Sequence, residues 1–496
     1  MTALFASWFP GGSTLSPGDV LLFAAALGAT VWLGRAAAAR VASLDDYLLA
    51  GRRVPWPQAG LALVAAEVSA LTVLGVSASA FRGDWTFLQF FLGAAAARVL
   101  VALLFVPAFH RGGSETPYGW LGARFGPRTR AAGAGLFVAA RVLAAAARLL
   151  AAAVAAGALL GWGLAPSLVL LTGVSLAALV EGGAEAAVWT GVLQTGVVLL
   201  GGALAAVFLL RRVDGGLPAV LRLAGAAGKL RALDWGAPGT PGFFARFFGE
   251  PRVFWPAVLT GFFGSAAAFG TDHELAQKLL VARGPREAQK AMYLSIAGSL
   301  AVLLLFLTVG TLLFVFYKQN PGLALAPNLE NVLPYFVKTA SRSVVRGAVL
   351  AAIALASIDA PLASLSAAFV ADLRRGAGSA GAELRRARTA ALAFGLLLPV
   401  LAGVFGASAG ILDFALRAGL ATAGPVLGVF LLGLTSEAGG DAAALGALGA
   451  ALTLNAFLLV LDGRGLLPFA LGWLAPLGTA SAYGLGRFFA RGPRAG

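Results

Sequence analysis

Residues Val345–Phe369 read VRGAVLAAIALASIDAPLASLSAAF and place Ser357 and Asp359 inside a stretch long enough to cross a bilayer. A membrane-spanning helix needs roughly 20 mainly apolar residues. An ionisable side chain at its middle costs at least about 2.5 kcal/mol, so it normally faces a cavity, an ion or a partner. Pro361 predicts a kink that frees backbone carbonyls near Ser357. The stretch therefore indicates a kinked membrane helix with a functional site.

The rest of the chain has the same apolar character. Of its 496 residues, 59% are hydrophobic and only 12% are charged, and the mean hydropathy is +0.86. These values are those of an integral membrane protein rather than a soluble domain, and the fold class predicted is all-α. Thirteen candidate transmembrane helices are predicted near residues 18–36, 57–80, 85–109, 131–161, 165–181, 187–210, 253–275, 292–317, 344–372, 389–406, 409–434, 441–460 and 468–487.

The net charge of +15 does not indicate a nucleic-acid partner, because the basic residues flank the spans and form no long cluster with interleaved aromatics. We expect membrane lipid and a small-molecule solute as partners, and make no prediction of oligomeric state. Lysine and arginine are more frequent in alternate loops between the spans, and loops rich in these residues normally face the cytoplasm. This distribution predicts an amino terminus outside and a carboxy terminus in the cytoplasm. The predicted location is a bacterial-type plasma (inner) membrane.

Polar residues within the second span indicate a site at mid-membrane. Glu67, Ser69 and Thr72 lie beside small residues, a combination that permits a helix to unwind and expose carbonyls to a cation. Two interpretations of Glu67 stay open. It forms a structural ion pair with a buried arginine such as Arg98, or it carries a proton, a cation or substrate.

The seventh span ends in a polar cluster after Gly270, comprising Asp272, His273 and Glu274. This cluster either lines a vestibule or marks a solvated helix end. His273 and His110 are the only histidines, and neither has a second ligand at metal spacing. We therefore expect no transition-metal site, no cofactor and no enzyme chemistry. In the ninth span, hydroxyls such as that of Ser364 are expected to bond back to helix carbonyls.

Motifs along nearly the whole chain resemble those of the sodium:solute symporter family. They follow one another in family-like order and spacing, and comprise Asp46–Arg52, Thr116–Arg128, Ala187–Thr190 with Gln194, Gly270–Asp272, Gln277–Lys278, Glu287–Lys290, Leu333–Phe336, Ser357–Asp359, Ser364–Ser366 and Ala371–Leu373.

The resemblance implies a leucine-transporter-type core of two inverted five-helix repeats, in which broken helices form a midplane site. The implied divisions are an extra helix with an inner loop at 1–56, a first repeat at 57–210, an outer loop at 211–252, a second repeat at 253–434, and two final helices with a tail at 435–496.

The resemblance also implies the site residues. Sodium, the coupling ion, is expected at the carbonyls or hydroxyls of Ala65, Val68, Ile353, Ala356 and Ser357. Substrate is expected at Thr72 and Asp272, beside Glu67, and Asp359 is a candidate coupling residue.

Two oxygens found in relatives are missing here. Ala356 stands where the family has a hydroxyl, and Gly191 stands where members often carry an aspartate. A separate difference concerns the substrate, because Ser299 stands where sugar-transporting members use a lysine. A hard cation prefers five or six oxygens, so Glu67 or Asp359 is a candidate replacement ligand.

The function predicted is cation-coupled symport of a small organic solute by alternating access, with sodium as the first choice of ion. The alternatives are a proton-coupled or uncoupled carrier with a degenerate sodium site, and a membrane sensor that does not transport.

Overall fold

The computed structural model describes residues 15–341, 343–358, 361–374 and 379–490, and these residues are almost entirely helical. In chain order the helices are α1 (Pro17–Ala38), α2 (Leu44–Leu49), α3 (Trp56–Glu67), α4 (Ala70–Arg82), α5 (Phe87–Arg111), α6 (Pro117–Arg124), α7 (Pro127–Leu160), α8 (Leu164–Leu179), α9 (Gly183–Arg212), α10 (Gly216–Ala226), α11 (Phe243–Gly249), α12 (Phe254–Thr271), α13 (His273–Leu280), α14 (Pro285–Gln319), α15 (Val332–Ala340), α16 (Ser343–Ile358), α17 (Leu362–Ala368), α18 (Ala380–Ala407), α19 (Ala409–Thr435), α20 (Asp441–Gly463) and α21 (Leu474–Phe489).

Nine stretches of helix in the described residues are long and apolar enough to cross a membrane. The pair α3 and α4 gives a tenth span if it is taken as one helix, whose halves are bent by 62°. Further apolar helices are shorter, including α8, α16 and α17. An all-helical, multi-span protein is confirmed, whereas the count of thirteen spans stays a prediction.

The start of the first helix, α1, is fixed to α16. Ser16 and Asp19 form a capping box at the start of α1, in which each side chain accepts from the other residue's backbone N–H. The second carboxylate oxygen of the fully buried Asp19 accepts from the N–H of Gly347 at 2.9 Å. A Cβ at Gly347 would lie 2.9 Å from the Asp19 Cα. Glycine thus permits the close contact between α1 and α16.

Glycine also brings α5 and α12 together along their lengths. A Cβ at Gly93 would lie 1.9 Å from the carbonyl oxygen of Val258, and one at Gly261 would lie 2.1 Å from that of Phe90. Both distances are far inside van der Waals contact, so no other residue fits without moving the backbone. Small residues at interfaces commonly allow membrane helices to approach in this way.

α9 packs against α3, α14 and α16. A Cβ at Gly201 would lie 2.9 Å from the carbonyl oxygen of Ala348, so α9 and α16 also approach closely. α9 thereby connects the helix broken at Glu67 with the helix that ends at Ile358.

The connection between α9 and α12, residues 213–253, is fastened to the corner between α4 and α5. The buried ammonium group of Lys229 donates to the carbonyls of Phe81 and Arg82 at 2.7 and 3.0 Å. It also lies 4.3 Å from the ring centroid of Phe314. These carbonyls end α4, so the lysine supplies both hydrogen bonds and a favourable charge at a helix carboxy terminus.

Candidate functional site

The first helix break separates Glu67 from Ala70. Val68 has extended backbone angles and ends α3, while Ser69 caps α4. The N–H of Thr72 donates to the Ser69 hydroxyl at 3.4 Å, and the N–H of Ser69 donates to the Thr72 hydroxyl at 3.3 Å. This reciprocal cap restarts the helix, so the break follows from the local sequence. The predicted unwinding of the second span is present in the structure.

A single side chain on α9 holds the exposed carbonyls of this break. The Gln194 amide donates to the carbonyls of Ala65 and Val68 at 3.0 and 3.1 Å. One turn lies between these two carbonyls, and both point at the same nitrogen atom. Thr195 donates to Leu61, in the intact part of α3, at 2.8 Å. Each carbonyl oxygen has two lone pairs, so Ala65 and Val68 keep capacity for a further ligand.

Glu67 is bound in a buried network with Arg98 and Ser299. Arg98 on α5 is fully buried, donates to Glu67 Oε1 and donates to the Ser299 hydroxyl at 3.1 Å. Ser299 in turn donates to Glu67 Oε2. The guanidinium also lies 4.2 Å from the ring centroid of Phe269. The predicted ion pair between Glu67 and Arg98 is therefore present. The Glu67 side chain is nevertheless 31% exposed, so a ligand can still reach it.

The second break falls at Asp272, between α12 and α13. Asp272 has extended backbone angles, and its side chain caps α13 by accepting from the N–H of Glu274 at 2.8 Å. Arg141, from the middle of α7, contacts Asp272 Oδ2, and its Nη1 lies 2.9 Å from Glu274 Oε2. The Tyr118 hydroxyl donates to the carbonyl of Thr271 at 2.8 Å. One arginine thus contacts two carboxylates at this break.

The segment after Gly270 is buried, so the interpretation of it as a solvated helix end is wrong. His273, Gln277 and Lys278 are each at most 4% exposed. Gln277 donates to the carbonyl of Leu48 at 2.7 Å, because α2 packs beneath α13. In the described part of the chain, no group of three or more His, Cys, Asp or Glu side chains has the arrangement of a metal site.

The description of α16 ends at Ile358, and α17 begins at Leu362 after Pro361, whose backbone angles are not helical; we call this junction the third break. Asp359 and the Ser357 side chain fall outside the described part of the structure. Ile353 and Ala356 are fully buried in α16. The Ser364 hydroxyl donates to the carbonyl of Pro361 at 3.0 Å, as expected for a serine that bonds back to its own helix.

Gly191 lies against α3 rather than beside an open space. A Cβ at Gly191 would lie 3.1 Å from the Ala62 Cα and 3.3 Å from the Ala65 Cβ. A larger residue would have to displace α3 by a few tenths of an ångström. Close packing against α3 thus fills the space beside Gly191.

The predicted substrate residues all lie at or next to helix breaks: Glu67 ends α3, Thr72 lies in the first turn of α4, and Asp272 lies between α12 and α13. Their roles as ligands stay predictions. The sequence analysis assigned no role to Arg141 or Gln194. An arginine within an apolar span indicates a functional role, so the sequence alone could have singled out Arg141.

Membrane helices broken at mid-length, with buried charges at the breaks, define the class of secondary active transporters. A family model described as the sodium:solute symporter family matches residues 47–452. The chain belongs to this family. It is a sodium-coupled symporter of a small-molecule solute that works by alternating access, and not an enzyme.

Sodium-coupled transporters align with most of this chain. The sodium/sialic acid symporter SiaT of Proteus mirabilis is 27% identical over 423 residues, 80% of this chain and 80% of SiaT. The sodium/sialic acid symporter NanT of Aliivibrio fischeri is 29% identical over 434 residues, 85% of this chain and 83% of NanT. A bovine sodium-coupled monocarboxylate transporter 2 is 27% identical over 301 residues, 60% of this chain and 47% of that protein.

Solved structures show the same fold. A sodium-coupled sialic acid symporter in a substrate-bound, outward-open state aligns with a TM-score of 0.86 at 22% identity, covering 96% of this chain and 97% of that one. Mhp1, a nucleobase-cation-symport-1 family transporter, aligns with a TM-score of 0.55 at 15% identity, covering 89% and 94%. The leucine-transporter-type fold is confirmed, whereas the boundaries of the two repeats stay predictions.

Proposed function

We propose that the solute carried is an organic anion, and that Arg141 recognises its negative group. Arg141 is the observation that carries this proposal, because its guanidinium reaches the α12–α13 break and is 14% exposed. The planar guanidinium suits a carboxylate in two-point contact. Sialic acid and monocarboxylates, named for the relatives, are both acids.

Asp272 does not oppose this proposal, because Arg141 and Asp272 already form an ion pair. This ion pair offsets the charge of Asp272, and Lys278 and Arg148 interact electrostatically with the second carboxylate, that of Glu274, so the three basic groups together offset both acids. Thr72 opens α4, which packs against α7, and its hydroxyl suits a second contact with the solute. Glu67 and Asp272 suit hydroxyl or amine groups elsewhere on the solute.

Sodium is proposed between the first break, at Ala65 and Val68, and the carboxy-terminal end of α16. The convergence of the Ala65 and Val68 carbonyls on Gln194 supports this position. Ile353, Ala356 and Ser357 are the proposed ligands from α16, with Asp359 as a candidate coupling group. We expect Ser357→Ala to abolish sodium-driven uptake in a protein that still folds. Full sodium-driven uptake in that variant would place the cation elsewhere.

The proposed setting is a bacterial-type inner membrane, with the amino terminus outside and the carboxy terminus in the cytoplasm. Lysine and arginine distribution supports this orientation. Accessibility of single cysteines introduced into this cysteine-free chain, at the loop between α9 and α12 and between α13 and α14, would test it directly.

Uptake into proteoliposomes tests the solute class. A sialic acid, a monocarboxylate and a neutral sugar are each offered with an inward sodium gradient, and then with a pH gradient alone. We expect accumulation of an acid that requires sodium and is lost in Arg141→Gln. Arg417→Gln is a matched control, because Arg417 pairs with Asp413 and Asp462 on α19 and α20. Accumulation of the neutral sugar without competition from either acid would refute the proposal.

A further inference from the structure

A short aromatic helix, α11, lies in the connection between α9 and α12 and is exposed on one side. Its sequence is FFARFFG, in which Phe244 and Phe248 lie one turn apart on the same face and are 74% and 42% exposed. The charged residues lie on another side of the helix, where Arg246 Nε is 3.2 Å from Glu250 Oε1. α11 is therefore amphipathic, with an exposed aromatic face.

This helix is held at the ends of membrane-spanning helices. The N–H of Ala470, in the turn before α21, donates to the carbonyl of Phe248 at 2.8 Å, and the ring centroids of Phe248 and Trp473 lie 5.4 Å apart. The same turn packs on α12, because a Cβ at Gly472 would lie 2.7 Å from Thr260 Cγ2. α12 begins shortly after α11, and α20 ends shortly before the turn; both belong to stretches long enough to cross a membrane. The aromatic face therefore lies at the level where these two spans end.

The exposed aromatic face continues onto the exposed surface of α12. Trp255, in the first turn of α12, is 55% exposed, and its ring centroid lies 5.1 Å from that of Phe254. Phe254 packs in turn on Trp235, which is 52% exposed, with 4.4 Å between the centroids. Exposed apolar side chains on a membrane-spanning helix face lipid, and tryptophan is enriched at the level of the lipid headgroups. α11 therefore extends a lipid-facing surface that begins on α12.

We propose that α11 lies in the bilayer interface, with Phe244 and Phe248 inserted at the boundary between phospholipid headgroups and acyl chains. Interfacial helices carry phenylalanine, tryptophan and leucine on the face that enters this boundary. A second copy of the chain is a less suitable cover, because these two rings and that of Trp255, at most about 250 Å² each, offer less than the roughly 800 Å² per partner of a stable protein interface. α11 thereby anchors the second half of the connection 213–253 to the membrane, while Lys229 fixes the first half to α4.

Nitroxide spin labels in this cysteine-free chain test the position of α11. A single cysteine is introduced as Phe244→Cys or Phe248→Cys and labelled, and the full-length protein is reconstituted into vesicles of phosphatidylethanolamine and phosphatidylglycerol. Power saturation then compares collisions of the label with oxygen, which concentrates among the acyl chains, and with a water-soluble nickel complex. We expect both labels to collide more with oxygen than with nickel. The Phe244 ring is mostly exposed, so an apolar label in its place should leave the fold unchanged.

Two control labels define the lipid and water limits of the measurement. Leu200 lies near the middle of α9, a helix long enough to cross the membrane, and is 58% exposed, so Leu200→Cys should give the largest excess of oxygen collisions. Gly322 lies in the exposed loop after α14 with nothing within 4 Å of an added Cβ, so Gly322→Cys should give an excess of nickel collisions. The labels on α11 should fall between these limits, on the oxygen side, as expected at the headgroup boundary.

Two results at position 244 would overturn the proposal. An excess of nickel collisions, as at Gly322→Cys, would mean that the aromatic face lies in water. Low collision rates with both reagents would mean that protein covers the face, and dipolar broadening that disappears on dilution with unlabelled protein would then identify a second copy as the cover. If Phe248→Cys does not fold because its contact with Trp473 is lost, Phe244→Cys decides the question.

Discussion

Charged residues in the membrane part of this transporter are arranged in local groups of opposite sign. Glu67 meets Arg98, and Asp272 and Glu274 share Arg141. Breaking such a pair by removing one partner leaves a buried charge, which typically costs about 3–5 kcal/mol in a protein interior. The groups are therefore strongly coupled, and substitutions within one should not be additive.

A double-mutant cycle on Glu67 and Arg98 tests this coupling. We expect Arg98→Met to destabilise the wild type strongly, because it leaves the Glu67 carboxylate without its guanidinium partner. In a Glu67→Gln background the same change should cost less, by about 1–3 kcal/mol. Reversible unfolding measurements on the four proteins give the coupling energy. Simple additivity would show that the pair does not act as a unit.

The sequence predicted part of this residue-scale arrangement. Glu67, Thr72 and Asp272 were recognised because polar residues stand out in apolar spans, and Arg98 was named as a partner for Glu67. The contact between Arg141 and Asp272 was missed, because it joins residues 131 positions apart. Such a pairing depends on the packing of α7 against the α12–α13 break, which hydropathy does not report.

Helix breaks at Val68 and Asp272 are the main features at the scale of elements. Each break carries a side-chain cap that restarts the helix, provided by Ser69 and by Asp272 itself. The sequence therefore specifies both the break and the restart. What it does not specify is which neighbour binds the freed carbonyls, a role taken here by Gln194 on α9.

Replacing Gln194 should weaken the proposed sodium site. We expect Gln194→Leu to raise the sodium concentration for half-maximal uptake by about tenfold, equivalent to about 1.4 kcal/mol, because two hydrogen bonds that hold the carbonyls together are lost. Thr195→Val is the control, since Thr195 bonds to the unbroken part of α3. An equal rise in both variants would mean that packing of α9, and not the held carbonyls, sets sodium affinity.

Close packing of α5 and α12 gives a second prediction at this scale. Gly93→Ala places a methyl group where the carbonyl oxygen of Val258 lies 1.9 Å away, so the helices must separate. We expect a loss of about 1–3 kcal/mol in the free energy of unfolding. Gly264→Ala, on α12 with nothing within 4 Å of the added carbon, should be nearly neutral. Thermal unfolding in detergent compares the two, and similar losses would argue against a steric cause.

At the scale of the whole molecule, the long connection 213–253 is part of the packed structure. Lys229 contacts the end of α4, and Arg231 contacts Asp84 in the short loop before α5, at 2.9 Å. Burial alone would raise the pKa of the Asp84 carboxyl, but hydrogen bonds from Thr86 and the nearby Arg231 outweigh it and lower that pKa below its usual value.

This lowered pKa predicts an acid-sensitive attachment. A carboxyl whose pKa is lower in the folded state stabilises that state above its unfolded pKa, about 3.9, and loses the contribution as pH falls through the folded value. We expect the melting temperature of the wild type to fall more between pH 5 and pH 3 than that of Asp84→Asn. A fall of equal size in both proteins would show that Asp84 does not contribute.

How far the sequence determined the whole molecule differs between its parts. The multi-span helical class was predicted from hydropathy, the family was recognised by the resemblance of its motifs, and the leucine-transporter-type fold was implied by that resemblance. The number of spans stays a prediction, because α8 and the helices on either side of the third break are shorter in the structure than a membrane-spanning helix normally is. Burial of His273 and Lys278 was also missed, because their polarity resembles that of a solvated helix end.

The contact of α1 with α16 has a practical consequence for following the transport cycle. Asp19 bonds to Gly347, and the glycine at position 34 of α1 lies against α8 so closely that a Cβ would be 2.1 Å from the Ala178 carbonyl. Helices locked this tightly keep their spacing, so α1 offers a fixed reference for spectroscopic rulers. With one spin label on α1 and another on the far end of α4, we expect opening of the transporter to change the distance between the two labels.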